Sequence, residues 1–169
     1  MRHNVYSTQR KSWSTTISSA HEELIKAHTG AHKIEYTEQD ETKQDPDPIY
    51  TVLDYSGIDA LAIGKRPKEI HALSLRVTNW SRPQVTIRAT EVDSWTKETN
   101  LLRPAYHIQL VQHKGHTRHM LIVNLNKFRS LPDPMQYLRK TPSNSDPDGY
   151  FYNFTEEGLR LPCVRILDF

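Results

Sequence analysis

Apolar and polar residues alternate most clearly between residues 70 and 78, in the middle of the chain. The run from Leu73 to Val77 reads LSLRV, and residues two apart on a strand share a face of the sheet. The alternation predicts a half-buried strand with Ser74 and Arg76 on its polar side. Apolar runs lie on both sides of it, so residues 53–88 are predicted to form three consecutive strands.

A helical period lies near the start of the chain. Ser14 or Thr15 is the predicted N-cap, and Gly30 follows the predicted end of the helix at about His28. The apolar stripe comprises Ile17, Ala20, Leu24 and His28, with Ile25 on one flank. Residues 1–12 are polar, and we expect them to form a poorly ordered arm.

Strands, turns and loops alternate in the rest of the chain. The clearest hairpin is predicted around Lys114-Gly115-His116, between strands at 105–113 and 119–125. Residues 90–103 fit a short helix or an excursion over the sheet equally well. Further predictions are an acidic loop at 37–48, a loop at 131–149, strands at 31–36, 150–154 and 163–167, and a short helix capped by Thr155.

These elements predict one α/β domain spanning residues 1–169, with a central mixed, largely antiparallel sheet flanked by helices. Cys163 is the only cysteine, which excludes an internal disulfide and a cysteine-based zinc cluster. The sequence has no run of about 18 apolar residues and no signal-peptide pattern. We therefore expect a cytoplasmic protein with no membrane association.

The charge of the chain is unevenly distributed. Residues 37–54 contain six acidic residues and one lysine, a local charge of −5, whereas residues 55–130 contain twelve Lys or Arg and five acids, a local charge of +7. A basic central region beside an acidic loop is typical of a protein that binds a polyanion on one face. On composition alone, an ordinary solvated surface explains the same counts more simply.

Gly57-Ile58-Asp59 is followed fifteen residues later by the strand triplet Ser74-Leu75-Arg76. This pair of motifs resembles the core of the PD-(D/E)XK nuclease superfamily, and the resemblance implies a restriction-endonuclease-like core. In that family the Asp binds a divalent metal, and a polar-x-polar pair, usually Glu or Gln followed by Lys, faces the same site. The resemblance therefore implies Asp59 as a ligand of Mg²⁺ or Mn²⁺, with Ser74 and Arg76 as catalytic residues.

The chain also departs from the family pattern. Serine is a poor metal ligand, and arginine cannot accept a proton at neutral pH. The first helix of the family often contributes a Glu to the metal site, which makes Glu23 a further catalytic and metal-binding candidate. An ordinary surface position on an amphipathic helix explains Glu23 more simply. Arg103-Pro104 and the strand with Ile108-Gln109 resemble a phage and mobile-element subgroup in which the Lys position is also Arg.

Basic side chains suggest where a nucleic acid would bind. Lys114 and Arg118 belong to the predicted hairpin, and Arg82 and Arg88 flank the third predicted strand. Three histidines in the same hairpin leave zinc binding and a plain exposed loop as alternatives. Trp80 and Trp95 would form a base-stacking platform if exposed, or would pack in the core.

Two functions follow from these observations. The first is a Mg²⁺-dependent endonuclease that hydrolyses phosphodiester bonds in DNA, with Asp59 as the principal metal ligand and Arg76 stabilising the developing charge. The second is a protein that has kept the nuclease fold and lost the chemistry. It would bind DNA or a protein partner in an accessory or counter-defence role, and a homodimer is compatible with either function.

Overall fold

The computed structural model describes residues 13–38, 47–66, 68–95, 102–144 and 149–169. The predicted arm at 1–12 lies outside the described residues. So do residues 39–46 of the predicted acidic loop, residues 96–101 and residues 145–148.

Helices and strands alternate along the described chain. The helices are α1 (Trp13–Thr16), α2 (Ser19–Thr29), α3 (Pro48–Tyr55), α4 (Ala89–Ser94), α5 (Leu125–Arg129), a 3-10 helix (Pro134–Tyr137) and α6 (Glu156–Leu159). The strands are β1 (Lys33–Tyr36), β2 (Ala60–Ile63), β3 (Ile70–Asn79), β4 (Thr86–Arg88), β5 (Tyr106–His113), β6 (His116–Asn124), β7 (Leu138–Pro142), β8 (Tyr150–Phe154) and β9 (Val164–Asp168).

Six strands form the main sheet, in the order β1-β2-β3-β5-β6-β9. The central pair β3 and β5 is parallel, and the other neighbours are antiparallel. A second, antiparallel sheet has the order β4-β8-β7. The prediction of an α/β protein with a mixed, largely antiparallel sheet is therefore confirmed.

The two faces of the main sheet bury two different cores. Leu73 and Leu75 of β3 pack on the first face together with Ile25 of α2. On the second face, Val92 of α4 and Phe128 of α5 pack against apolar residues of β5 and β6 and against the second sheet. Because β3 alternates, Ser74 and Arg76 lie on the second face, under the crossover that joins β3 to β5.

The predicted first helix is interrupted. α1 ends at Thr16, and α2 begins after Ser18, whose side chain accepts a hydrogen bond from His21 N at 3.2 Å. Gly30 ends α2 in the left-handed region, as predicted. The buried face contains Ile25 and Thr29, whereas Ala20 and His28 of the predicted stripe are exposed. Ile17 of the predicted stripe is buried and Leu24 packs against the same core, so the stripe is confirmed in part.

Three predicted segments differ from the structure. α3 occupies residues predicted to lead into a strand; Asp47 Oδ1 accepts a hydrogen bond from Ile49 N at 2.8 Å, and Pro48 is the first helical residue. β7 lies in the predicted loop at 131–149 and pairs with β8. β4 does not continue the main sheet after β3, because it pairs with β8 in the second sheet.

The β5–β6 hairpin, the last helix and the last strand agree with the predictions. The hairpin of β5 and β6 turns at Lys114 and Gly115, which have φ of 51° and 79°. Two positive values at these positions are typical of a type I′ turn. Thr155 caps α6 by accepting a hydrogen bond from Gly158 N at 3.1 Å, and β9 closes one edge of the main sheet. Across the part of the chain that the structure describes, no helix combines the length and apolarity needed to cross a membrane.

Candidate active site

Asp59 lies immediately before β2, where main-chain hydrogen bonds hold it on both sides. Its N–H donates to Leu73 O at 2.8 Å, and its carbonyl accepts from Thr37 N at 3.0 Å. Its carboxylate also accepts a hydrogen bond from Leu75 N at 2.7 Å. The side chain thus takes the place of a strand partner along β3. This ladder fixes the carboxylate at the junction of three strands.

Glu91 supplies a second carboxylate at this junction. It lies in the first turn of α4, and a Cβ placed on Gly57 would be 3.9 Å from Glu91 Oε2. Gly57 has φ of 75° in the turn that leads to Asp59. Glu91 Oε1 is buried and, among the described residues, has no hydrogen-bond partner. An unsatisfied carboxylate oxygen inside a protein is costly unless a ligand binds it.

The electrostatic environment of Glu91 ties it to Asp59. The pKa of Glu91 is raised to about 7, first by burial and second by the negative charge of Asp59. Three arginines oppose this rise, in the order Arg88, Arg129 and Arg76. The site therefore combines two mutually repelling carboxylates with three surrounding guanidinium groups. Such strongly perturbed groups are enriched at functional sites.

Arg76 is positioned by the second sheet. It lies opposite Gln109 of the parallel strand β5, and its guanidinium carbon is 4.2 Å from the centre of the Phe151 ring on β8. The aromatic face restricts the guanidinium and stabilises its charge. Arg76 is close enough to Glu91 to lower the pKa of that carboxyl. The structure therefore brings Asp59, Glu91 and Arg76 together.

Ser74 is engaged in a buried polar network. It is only 6% exposed, and its Oγ is 3.2 Å from His107 Nδ1 on β5. His107 Nε2 is 3.2 Å from Gln109 Oε1, which also accepts a hydrogen bond from Thr86 N at 2.7 Å. The pKa of His107 is lowered to about 4, chiefly by burial. This network joins β3 to β5 and β4, and it occupies the hydroxyl of Ser74.

Glu23 is not brought to Asp59. Its side chain is 73% exposed and lies 2.9 Å from Lys26 Nζ in an ion pair along α2. That helix covers the first face of the sheet, whereas Glu91 and Arg76 lie on the second. The structure thus does not bring Glu23 to Asp59, because α2 packs on the other side of the sheet, and the metal-binding role of Glu23 stays a prediction.

The other predicted contact residues form two groups. Trp80 N donates to Gln112 O at 2.9 Å, so the turn containing Trp80 and Arg82 lies beside the tip of the β5–β6 hairpin. Trp80, Arg82, Lys114 and Arg118 are all exposed. Arg88 is exposed as well, but it belongs with Glu91 through its effect on that pKa.

The Trp95 ring packs against neighbouring side chains and does not form an open platform for a base. It lies 6.1 Å from that of Phe128 in an edge-on arrangement, and the guanidinium of Arg129 lies 5.6 Å from it.

His119 in the hairpin is 2.6 Å from Asp168. The described residues contain no group of three or more His, Cys, Asp or Glu that could hold a metal ion.

Sequence reasoning named Asp59, Ser74 and Arg76 but missed Glu91. The sequence signal for Glu91 was weak. Glu91 follows a short apolar strand by three residues, in Arg88-Ala89-Thr90-Glu91, and an acidic residue is common in the first turn of any helix. Only the folded crossover brings this residue to Gly57 and Asp59.

Comparison with known proteins gives no family assignment. No protein-family model matches the chain, and no curated protein matches it.

Proposed function

We propose that this protein is a metal-dependent endonuclease that hydrolyses phosphodiester bonds in DNA. The observation that carries the proposal is the pairing of Asp59 with Glu91, whose buried Oε1 has no hydrogen-bond partner among the described residues. The adjacent Arg76, on the strand beside Asp59, fits the PD-(D/E)XK resemblance. Glu91 offers the second carboxylate that Ser74 cannot supply.

The residues present fit a divalent cation. Magnesium is usually held by one or two carboxylates, with water and substrate phosphate completing its shell. Asp59 and Glu91 would hold it, and the positive charge would relieve the repulsion that raises the pKa of Glu91. When bound, such an ion makes water a better nucleophile and neutralises charge on the phosphate.

The side chains of this protein have distinct tasks in that reaction. Arg76, held against Phe151, would bind the scissile phosphate and stabilise the negative charge that develops on its oxygens. It remains protonated throughout, so it acts as an electrostatic group and not as a base. The backbone bonds of Asp59 keep its carboxylate directed along β3, which preorganises the site.

One observation favours a second candidate function. Ser74 is buried against His107, so the triplet that usually supplies both a ligand and a lysine supplies neither. A protein with this site could bind DNA, or a protein partner, without cleaving it. The carboxylate pair would then be a structural ion network with the three arginines.

Plasmid relaxation in Mg²⁺ and in Mn²⁺ distinguishes the two functions. We expect the parent to relax the plasmid, and Asp59→Asn and Glu91→Gln each to lower the rate by at least about 10²-fold, the scale of losing a major electrostatic stabiliser. Glu23→Gln is the matched control, because it removes an exposed carboxylate from the other face of the sheet, and it should cleave at the parental rate.

Thermal melts check that the variants are folded and that the metal binds. Added Mn²⁺ should raise the melting temperature of the parent and of Glu23→Gln, and should leave the Asp59→Asn melting temperature nearly unchanged. Parental-rate cleavage by Asp59→Asn would show that the active site lies elsewhere. Absence of cleavage by the parent in both metals would favour the binding protein.

A further inference from the structure

The structure has a concave surface close to the carboxylate pair. It is a cleft of about 660 Å³, within the range of small-molecule sites in proteins. One of its lining residues is Ile58, which directly precedes Asp59, and another is Arg129, which lowers the pKa of Glu91. The cleft is therefore near the candidate active site, although neither Asp59 nor Glu91 lines it.

Two arginines line this cleft close to each other. The positive charge of Arg103 lowers the pKa of Arg129, after the larger effect of burial. Arg129 is anchored, because its Nη1 donates to Pro104 O at 2.9 Å and its Nη2 to Asn126 Oδ1 at 2.5 Å. Within the described part of the chain, no carboxylate oxygen lies within 4.0 Å of Arg129. The negative charge of Glu91 opposes this lowering of the Arg129 pKa only in part, so a bound anion would relieve the repulsion between the two arginines further.

The remaining lining is largely apolar. Leu53, Leu61 and Ile70 contribute aliphatic surface, and Ile70 is 51% exposed. His71 also lines the cleft, and its ring meets that of Tyr106 edge-on at 5.6 Å. A simple anion would use the arginines and leave this apolar surface in water. A ligand with a phosphate and a flat, weakly polar body would cover both parts.

We propose that this cleft binds a nucleotide, with its phosphate on Arg103 and Arg129 and its base on the apolar lining. The inference deepens the proposed function, on which it rests in taking the cleft to lie beside the scissile phosphate. The nucleotide is either part of the DNA strand next to the cleavage point or a free nucleoside phosphate. Both sources present the same chemistry to the cleft.

Calorimetry in EDTA, where no metal-dependent cleavage can occur, tests the inference. The probes are dAMP, deoxyadenosine, inorganic phosphate and a short duplex oligonucleotide. Arg103→Gln removes one charge from the cleft without disturbing the anchored Arg129, and Ile70→Ser removes exposed apolar surface. Arg165→Gln, an exposed arginine of β9, is the matched control.

For a site that takes free nucleotides, we expect dAMP to bind at least about tenfold more tightly than deoxyadenosine or phosphate. Arg103→Gln should remove that advantage, and Ile70→Ser should weaken dAMP but not inorganic phosphate. For a site that takes a nucleotide within DNA, both variants should weaken duplex binding at least about fivefold and Arg165→Gln should not. Parental binding of dAMP and of the duplex by both variants would overturn the inference.

The result is independent of cleavage. Asp59→Asn should retain the nucleotide binding of the parent, because it leaves the cleft intact. If the parent never cleaves DNA but binds nucleotide through Arg103, the endonuclease proposal fails and the cleft assignment stands. If Asp59→Asn abolishes cleavage but Arg103→Gln changes no binding, only the cleft assignment fails.

Discussion

At the scale of single residues, the site is a balance between buried charges and the groups that compensate them. Glu91 is protonated more readily than an ordinary glutamate because it is buried beside Asp59. His107 shows the opposite effect, since burial keeps its ring neutral. Each shift makes the stability of the fold depend on pH, and the two dependences have opposite signs.

His107 should make the protein sensitive to acid. Its pKa is about 4 in the folded chain and about 6.5 when unfolded, so its contribution is present above pH 6.5 and lost as pH falls towards 4. The free energy of unfolding should decrease by about 3 kcal/mol over this window because of His107. Urea melts at pH 7 and pH 4.5 of the parent and of His107→Gln measure the effect.

The difference in pH dependence of unfolding between the parent and His107→Gln isolates the contribution of His107. Glu91 acts on both proteins alike, and its raised pKa gives stability that is lost as pH rises from about 4.5 to about 7. The loss on acidification should therefore be smaller in His107→Gln than in the parent. Equal losses in the two proteins would mean that His107 does not stay neutral in the fold.

At the scale of elements, α2 supports the first face of the sheet and takes no part in the site. Ser18→Ala removes the cap of this helix and should lower the free energy of unfolding by about 1 kcal/mol. DNA cleavage by the folded variant should remain at the parental rate. A stability loss below a few tenths of a kcal/mol, or a selective loss of cleavage, would contradict this assignment; chemical denaturation and plasmid relaxation measure the two quantities.

Elements with a strong local pattern could be predicted from the sequence. The alternation around Leu75 and the Lys114-Gly115 turn specify strands and a hairpin without help from distant residues. α3 was missed because Asp47 and Pro48 suggest a loop, although the same two residues can cap and begin a helix. β7 was missed because its strand character depends on pairing with β8.

The residues of the candidate site likewise fall into those that the sequence could predict and those that it could not. Asp59 and Arg76 follow from motif spacing along two neighbouring strands, which is a local property of the chain. Glu91 depends on how the crossover folds back over Gly57, and no pattern within α4 encodes that placement. The placement of Glu23 has the same cause, since the face of the sheet that α2 covers is a property of the whole fold and not of the helix alone.

At the scale of the whole molecule, the exposed basic hairpin lies at one end of the β3–β5 pair, and Asp59 is hydrogen-bonded to β3 near the other end. Ser74 faces His107 near one end of the β3–β5 pair, and Trp80 reaches Gln112 at the other. The five residue steps from His107 to Gln112 span about 17 Å, or about five base pairs of DNA. A duplex could therefore contact the hairpin while a phosphate lies at Asp59.

If the hairpin binds DNA, its contribution should be electrostatic. We expect the Lys114→Gln, Arg118→Gln double variant to weaken DNA binding and to reduce the slope of log K against log salt by roughly one unit for each phosphate that is no longer neutralised. The control is the Arg160→Gln, Arg165→Gln double variant, which removes two charges outside the hairpin. Fluorescence anisotropy at several salt concentrations gives the slopes, and an unchanged slope in the hairpin variant would exclude this binding surface.

The parallel pairing of β3 with β5 also affects the order in which the chain folds. The β5–β6 hairpin closes over a two-residue turn, an event of about 1–10 μs in isolated hairpins. Pairing β3 with β5 requires closure of the crossover between Asn79 and Tyr106, which is slower because its entropy is lost before the strands pair. Asp59 and Arg76 come from one side of this closure, and Glu91 lies within it. During refolding, the hairpin therefore forms before the three side chains meet, and the proposed nuclease activity should return later than the hairpin does.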